Sequence, residues 1–339
     1  MTLIVLNNMA SYPWSAGDKL NASDLNKVIK FGGDGSDGVL NVTSGTTNID
    51  ASGESVVIKN YTSINVSSGA TLGLTNPAAG GTILILKCTG DITIEGTIEL
   101  SGNGANAGVS GFSILDELNH YGGDASGSTK GDGGVRFSDS SRMFYLTPDI
   151  NLLHRKFIVV SCGSGGGKGG TSEVGHGGGS GGKGGGSLII KCFSSFNFTG
   201  TINVNGADGL NGIDGVYSAG GGGAGGSAGM VLVLYNSLTA NTGTINAKGG
   251  AGGDGGDASG GTTNRYAGAG GGGGGSYTSV GKDGSTGNTN GINTDDASGA
   301  SGGGGGKSGD NLPHSGGTGG TQGATDSNHY LVVENTEFA

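Results

Sequence analysis

Five stretches, 163–186, 220–229, 249–261, 268–275 and 302–323, consist largely of glycine, and they constrain this chain more than any other feature. A glycine run has no side chains to bury and loses much conformational entropy on ordering. An extended glycine segment closes no hydrogen bonds within itself. Such tracts become ordered only by lying side by side and bonding through bare backbone at close range. Glycine fills 82 of 339 positions, about a quarter where average proteins have roughly 7%. That composition borders on disorder, and periodic apolar runs between the tracts argue against it.

The runs belong to a repeated unit. Leu188-Ile189-Ile190-Lys191-Cys192 and Val231-Leu232-Val233-Leu234-Tyr235 each precede a Gly-Thr-Ile-Asn, at 200–203 and 243–246. An earlier copy runs Gly81-Thr82-Ile83-Leu84-Ile85-Leu86-Lys87-Cys88 and then Gly96-Thr97-Ile98-Glu99. A leading glycine precedes Gly-Thr-Ile by 15, 14 and 14 positions (81 to 96, 186 to 200, 229 to 243). Branched apolar runs this short suit strands, and alternation in Thr201-Ile202-Asn203-Val204 buries one face and wets the other. One unit cannot bury its apolar face alone, so units must stack. Residues 39–100 alternate similarly, with turn signals at Ser44-Gly45, Ser52-Gly53, Ser68-Gly69 and Ala79-Gly80-Gly81, and read as consecutive strands of a β-solenoid or sandwich. The expected fold is all-β, with solenoid- or sandwich-like strand units alternating with packed glycine tracts.

The chain divides into four segments: an N-terminal segment 1–31, a strand-repeat region 32–108, an insertion 109–156 and a glycine-rich body 157–339. The insertion is poorer in glycine and carries Phe112, Phe144 and Tyr145, with a short helix predicted over 112–120. His329-Tyr330-Leu331-Val332-Val333-Glu334 reads as a closing strand. Charge is sparse, 13% of residues and −10 net, which leaves no phosphate-neutralising surface and argues against nucleic-acid binding. The start shows no basic flank or cleavage region of a secretory signal, so synthesis in a cytosol without export by the ordinary route is expected. Three cysteines, Cys88, Cys162 and Cys192, each close an apolar run; they read as reduced core thiols at equivalent repeat positions.

Residues 1–31 differ from the rest. Asn21 or Ser23 caps a predicted short helix whose Leu25, Val28 and Ile29 share one face. The run Ala16-Gly17-Asp18-Lys19-Leu20-Asn21-Ala22-Ser23-Asp24-Leu25-Asn26 resembles a segment near the N-terminus of tailed-bacteriophage fibre and appendage proteins. The stretch from Phe31 to Thr47 is similar to one found just after that segment in such proteins. The glycine-rich half resembles the tip adhesins of phage long tail fibres, in which glycine-rich motifs pack as a lattice of polyglycine II helices and intervening segments contact the bacterial receptor. The resemblance is compositional, and this chain departs from it by alternating β units with the tracts. It implies a non-enzymatic virion protein, a tail fibre, tail tip or receptor-binding adhesin. Its partners would be other tail proteins and a bacterial receptor, polysaccharide or outer-membrane protein. A polysaccharide-cleaving tailspike and a purely structural decoration protein stay open as alternatives.

Within that frame, residues 1–31 would attach the chain to the particle through Trp14 and the Leu25/Val28/Ile29 face. Glycine tracts present almost no side chains, so recognition falls to Tyr217, Arg265, Tyr266 and Tyr277 between them, with Phe144 and Tyr145 of the insertion as second candidates. A chain with so thin a core gains from burial against copies of itself, and a trimer is expected.

Several motifs imitate active sites. Gly178-Gly179-Ser180-Gly181-Gly182 fits a nucleophile elbow, but so does any serine in such tracts, as around Ser227 and Ser301. Lys183 ends a partial P-loop in which Gly184 stands where Ser or Thr is required. Gly32-Gly33-Asp34-Gly35-Ser36-Asp37-Gly38-Val39 matches one calcium nonapeptide; such sites need tandem copies, so Asp34 and Asp37 read first as turn residues and second as calcium ligands. Asp116, Glu117, Asp132 and Asp139 are the carboxylates a glycosidase reading would use. No cofactor is expected.

Overall fold

The computed structural model describes residues 32–109, 111–112, 160–172, 175–216 and 218–259, and the backbone of 330–334. Its strands are β1 (Val39–Val42), β2 (Thr46–Asp50), β3 (Val56–Tyr61), β4 (Ser63–Val66), β5 (Thr71–Thr75), β6 (Gly80–Gly81), β7 (Ile83–Cys88), β8 (Ile92–Ile94), β9 (Thr97–Glu99), β10 (Gly104–Ala105), β11 (Ser187–Phe198), β12 (Thr201–Asn203), β13 (Val231–Asn241), β14 (Thr244–Asn246) and β15 (Tyr330–Glu334). No helix occurs among the described residues, so the described part is all-β. The helix predicted over 112–120 lies outside them, except for Phe112.

Successive units lie beside one another in parallel. In the eight-stranded sheet β1, β4, β8, β11, β13 and β15 follow in that order, and β3 joins through β7 to β11. In the five-stranded sheet the order is β2, β5, β9, β12, β14. Strands of 32–108 and of 157–339 therefore enter the same sheets. The repeat seen in sequence is the register itself: Leu84, Leu188 and Val231 are neighbours, as are Thr97, Thr201 and Thr244. The leading-glycine spacing of 15 in the first copy is a one-residue misalignment. Ser187 pairs with Ile83, so Thr82, not Gly81, stands level with Gly186. Thr82 is buried there because its hydroxyl donates to the Glu54 carbonyl and accepts from the Ala78 amide.

Side chains of alternate residues fill the space between the two sheets. Leu40, Ile64, Ile92 and Phe196 form one inward row, and Val42, Val66, Ile94 and Phe198 the next. The opposite sheet contributes Leu72, Ile98, Ile202 and Ile245. Phe196 stacks on Phe198 and on Tyr235, with ring centroids 6.2 Å apart in both pairs. A smaller apolar cluster lies on the outer face of the eight-stranded sheet, where Val160 and Cys162 pack on Ile83, Ile189 and Leu232.

The cysteines correct one expectation. Cys88 and Cys192 are in register, both inside the main core, whereas Cys162 belongs to the outer cluster and is not their equivalent. All three are free thiols. Burial pushes Cys162 and Cys192 up from 9.0 to about 12 and raises Cys88 as well. A raised folded pKa means that the unfolded chain ionises first. Stability is then complete below pH 9 and is lost progressively as pH rises from 9 toward 12. Alkaline denaturation followed by circular dichroism should show this decline, and the Cys162→Ala/Cys192→Ala double variant should flatten it; an unchanged slope would remove the thiols as its cause.

Beyond the strands the same units continue as glycine tracts, and the bonding period changes from two to three. Tract 177–186 leads into β11, and β12 leads out into 204–215; tract 218–229 leads into β13, and β14 leads out into 248–257. Amides of Gly220, Gly223, Gly226 and Gly229 donate to carbonyls of Ile213, Leu210, Ala207 and Val204. Those of Gly221, Ala224 and Ser227 donate to Gly170, Gly167 and Ser164. The same tract accepts from Gly179, Gly182 and Gly185 on a third side and from Gly250, Gly253 and Gly256 on a fourth. Every third residue thus meets the same neighbour, and tract 218–229 is surrounded on four sides, its residues almost all buried.

This bonding gives the glycine its physical reason. Two sheets with side chains between them stand about 10 Å apart. Here the incoming and outgoing tracts of one unit bond directly, with Ala207, Leu210 and Ile213 amides donating to Lys183, Ser180 and Gly177 carbonyls at 2.7 to 3.1 Å. Removing side chains lets the two layers close onto each other, and backbone hydrogen bonds replace the apolar core.

Candidate binding face

The outward face of the five-stranded sheet is a regular array. Thr46, Thr71, Thr97, Thr201 and Thr244 form one row across all five strands, with hydroxyls repeating at the strand spacing of about 4.8 Å. Two positions along each strand lies a second row, Asn48, Gly73, Glu99, Asn203 and Asn246. At Gly73 the Asn48 Oδ1 atom lies over the strand, in the space a Cβ would take. The rest of the row is linked: the Asn246 amide donates to Asn203 Oδ1 at 2.8 Å, and the Asn203 amide donates to Glu99 Oε2 at 2.7 Å. Glu99 Oε1 accepts the Ser101 amide at 2.9 Å.

The polar row passes from strand into glycine tract at Asn205. Thr201, Asn203 and Asn205 keep the strand period of two; Asn205, Asp208, Asn211 and Asp214 then keep the period of three. Each of these four side chains accepts a backbone amide from the adjoining unit, from Lys248, Ala251, Asp254 and Asp257 respectively, at 2.7 to 2.9 Å. Backbone amides of Gly206, Gly209, Gly212 and Gly215 donate to the carbonyls of the same four residues. Tract 248–257 is thereby held at every third residue by one backbone and one side-chain bond. On another side of tract 204–215, Leu210, Ile213 and Val216 are 62%, 57% and 51% exposed.

The polar row is held together by these bonds. The Glu99, Asn203, Asn205, Asp208, Asn211 and Asp214 side chains are oriented by hydrogen bonds, and among the described residues no group of three His, Cys, Asp or Glu side chains could hold a metal ion. At the far corner of the eight-stranded sheet, Asp91 accepts the Ser194 hydroxyl at 2.7 Å and the Ser195 amide at 3.1 Å, tying two units together; these bonds hold its carboxyl below the usual range.

Most of the residues singled out in sequence are not among those described. Tyr217, Arg265, Tyr266, Tyr277, Phe144 and Tyr145 lie outside the described residues, as do Trp14, Leu25, Val28 and Ile29, and Asp116, Glu117, Asp132 and Asp139. Asp34 and Asp37 are placed at the entry to β1. Asp34 Oδ1 accepts the Ser36 amide at 3.1 Å, Asp37 Oδ2 accepts the Asn60 amide at 2.6 Å, and Lys59 Nζ lies 3.8 Å from Asp37 Oδ1. Asp34 thus bonds within the turn that carries positive φ at Gly33, Gly35 and Gly38, and Asp37 ties that turn to β3. Ser180 and Lys183 of the imitation motifs sit inside a glycine tract and contribute carbonyls to it.

Sequence reasoning missed the threonine row and the Asx row, though both carry a signal. Gly-Thr-Ile states the first. Asn205-Gly206-Ala207-Asp208-Gly209-Leu210-Asn211-Gly212-Ile213-Asp214-Gly215-Val216 states the second as four consecutive Asx-Gly-X triplets, a local three-residue register within a chain that lacks one overall.

No protein-family model, curated protein or solved structure matches the chain. Among the described residues no helix is long and apolar enough to cross a membrane.

Proposed function

We propose that this chain is a non-enzymatic structural component of a tailed-phage virion, a tail fibre, tail tip or adhesin, made in the host cytoplasm and assembled as a homotrimer with other tail proteins. In this reading the strand units form a β-solenoid and the glycine tracts form polyglycine II helices, a rigid body that displays side chains toward a bacterial surface receptor. The observation that carries it is tract 218–229, bonded to four neighbours at every third residue, which is the bonding expected of three-residue-per-turn helices packed side by side. A body made this way is stiff and offers little of itself for chemistry. The outward threonine and Asx rows supply a fixed polar face, and the N-terminal resemblance supplies the particle.

Purified virions test the reading. Mass spectrometry should find the chain in them, at a copy number divisible by three. A variant lacking residues 1–31 should fold and fail to incorporate. Absence of the full chain from particles would end the proposal, and incorporation of the shortened chain would end the role given to Trp14 and the Leu25/Val28/Ile29 face.

A further inference from the structure

The outer face of the eight-stranded sheet carries a row unlike its neighbours. Ile58, Ile85, Ile189 and Leu232 form an apolar row across β3, β7, β11 and β13, part of it in the outer cluster. Two positions further along each strand the row reads Asn60, Lys87, Lys191 and Leu234. Lys87 and Lys191 are thus side by side on adjacent strands, about 4.8 Å apart along the ladder, on the same outward face.

Two like charges at directly opposed positions repel. In a chain with 17 Lys and Arg against 27 Asp and Glu, carboxylates are plentiful, yet neither lysine has an ion-pair partner among the described residues. Both are half-buried. Burial, and then the charge of Lys87, pull the Lys191 ammonium below its ordinary pKa, as expected of a cation pair lacking its anion. The pair is flanked by an exposed ring and by close-lying backbone. Phe193, two residues beyond Lys191, is 43% exposed. The backbone of Gly32 and Gly33 lies directly on this ledge: a Cβ on Gly32 would overlap Phe193 and the Cys88 carbonyl, and one on Gly33 would overlap Asn60 Oδ1 and Lys87.

We propose that Asn60, Lys87, Lys191 and Phe193 form a binding site for an anionic sugar, a saccharide unit bearing a carboxylate or phosphate. The paired ammonium groups receive the anion as point charges, the Asn60 amide takes a hydroxyl, and the Phe193 ring offers apolar area to the sugar ring. This names a ligand class for the host-facing role proposed above and rests on that role for its setting. The test uses purified protein alone, so its failure is distinct from failure to find the chain in virions.

Glucuronate, glucose 6-phosphate, glucose and inorganic phosphate should be titrated into the full-length protein at low ionic strength, followed by NMR of the lysine ammonium groups and by calorimetry. Both anionic sugars should bind saturably, shifting the Lys87 and Lys191 signals, while glucose does not. Lys87→Met/Lys191→Met keeps the stems and should weaken binding by at least about tenfold, equivalent to roughly 1.4 kcal/mol; Lys87→Arg/Lys191→Arg should retain it, with both variants checked by circular dichroism for the parent's thermal unfolding. Phe193→Ala should weaken both sugars and leave inorganic phosphate unchanged. Absence of saturable binding, or wild-type binding by the methionine variant, would overturn the site. Inorganic phosphate binding as tightly as glucose 6-phosphate, with no effect of Phe193→Ala, would overturn its assignment to a sugar.

Discussion

Gly223→Ala should destabilise this protein by about 3 kcal/mol or more, although it adds a single methyl group. The Gly223 amide donates to Leu210 and its carbonyl accepts from Gly253, both at 2.8 Å. A Cβ at this position would run into the carbonyl oxygen of Ser180 on a third tract. That oxygen is backbone, already held by the Leu210 amide at 2.8 Å, so it cannot rotate away as a side chain would. The tract must move, and its period-three bonding means that movement loosens bonds on every side. Ser180→Ala, at an exposed side chain of the neighbouring tract, is the control and should change stability by less than about 0.5 kcal/mol. Denaturant unfolding of both variants decides the matter; equal midpoints would show that the tracts do not pack at backbone contact.

The side-chain core should be as sensitive at Phe196. This residue is fully buried, lies between Ile92 and Leu238 in its row, and stacks on two aromatic rings. Phe196→Ala should cost about 3–5 kcal/mol, the lost transfer energy plus that of the cavity. Leu210→Ala should change stability by less than about 0.5 kcal/mol, because Leu210 is 62% exposed. The comparison separates two kinds of interior in one chain, one held by apolar area and one by backbone bonds. A Phe196→Ala midpoint close to that of the parent would mean that neighbouring units repack across the gap.

Both interiors were partly legible in the residues. Repetition of an apolar run followed by Gly-Thr-Ile states that units stack, since matching residues of neighbouring strands share one environment. Leu84, Leu188 and Val231 satisfy it, as do Ile98, Ile202 and Ile245. Glycine runs state that backbones must bond to one another, because nothing else in them can. The binding face was less legible. Tyrosine and arginine between the tracts stand out one residue at a time, whereas threonine and asparagine become an array only when strands align. Lys87 and Lys191 are 104 positions apart in the chain (191 − 87), and only the parallel pairing of β7 with β11 makes them neighbours.

The residues alone set the local features: period-two strands, glycine segments without side-chain options, and the Asx-Gly-X triplets whose period is three. Which tract bonds which is a property of the whole. Backbone amides and carbonyls are identical along a glycine run, so nothing local tells Gly223 to meet Leu210 rather than Ala207. The strands decide it. Apolar side chains fix the register of β11 on β7 and of β13 on β11, because a one-residue slip would turn the buried row outward. That register carries into tracts 177–186 and 218–229, which lead into β11 and β13, and there selects the bonding partners of residues with no side chains to choose for themselves.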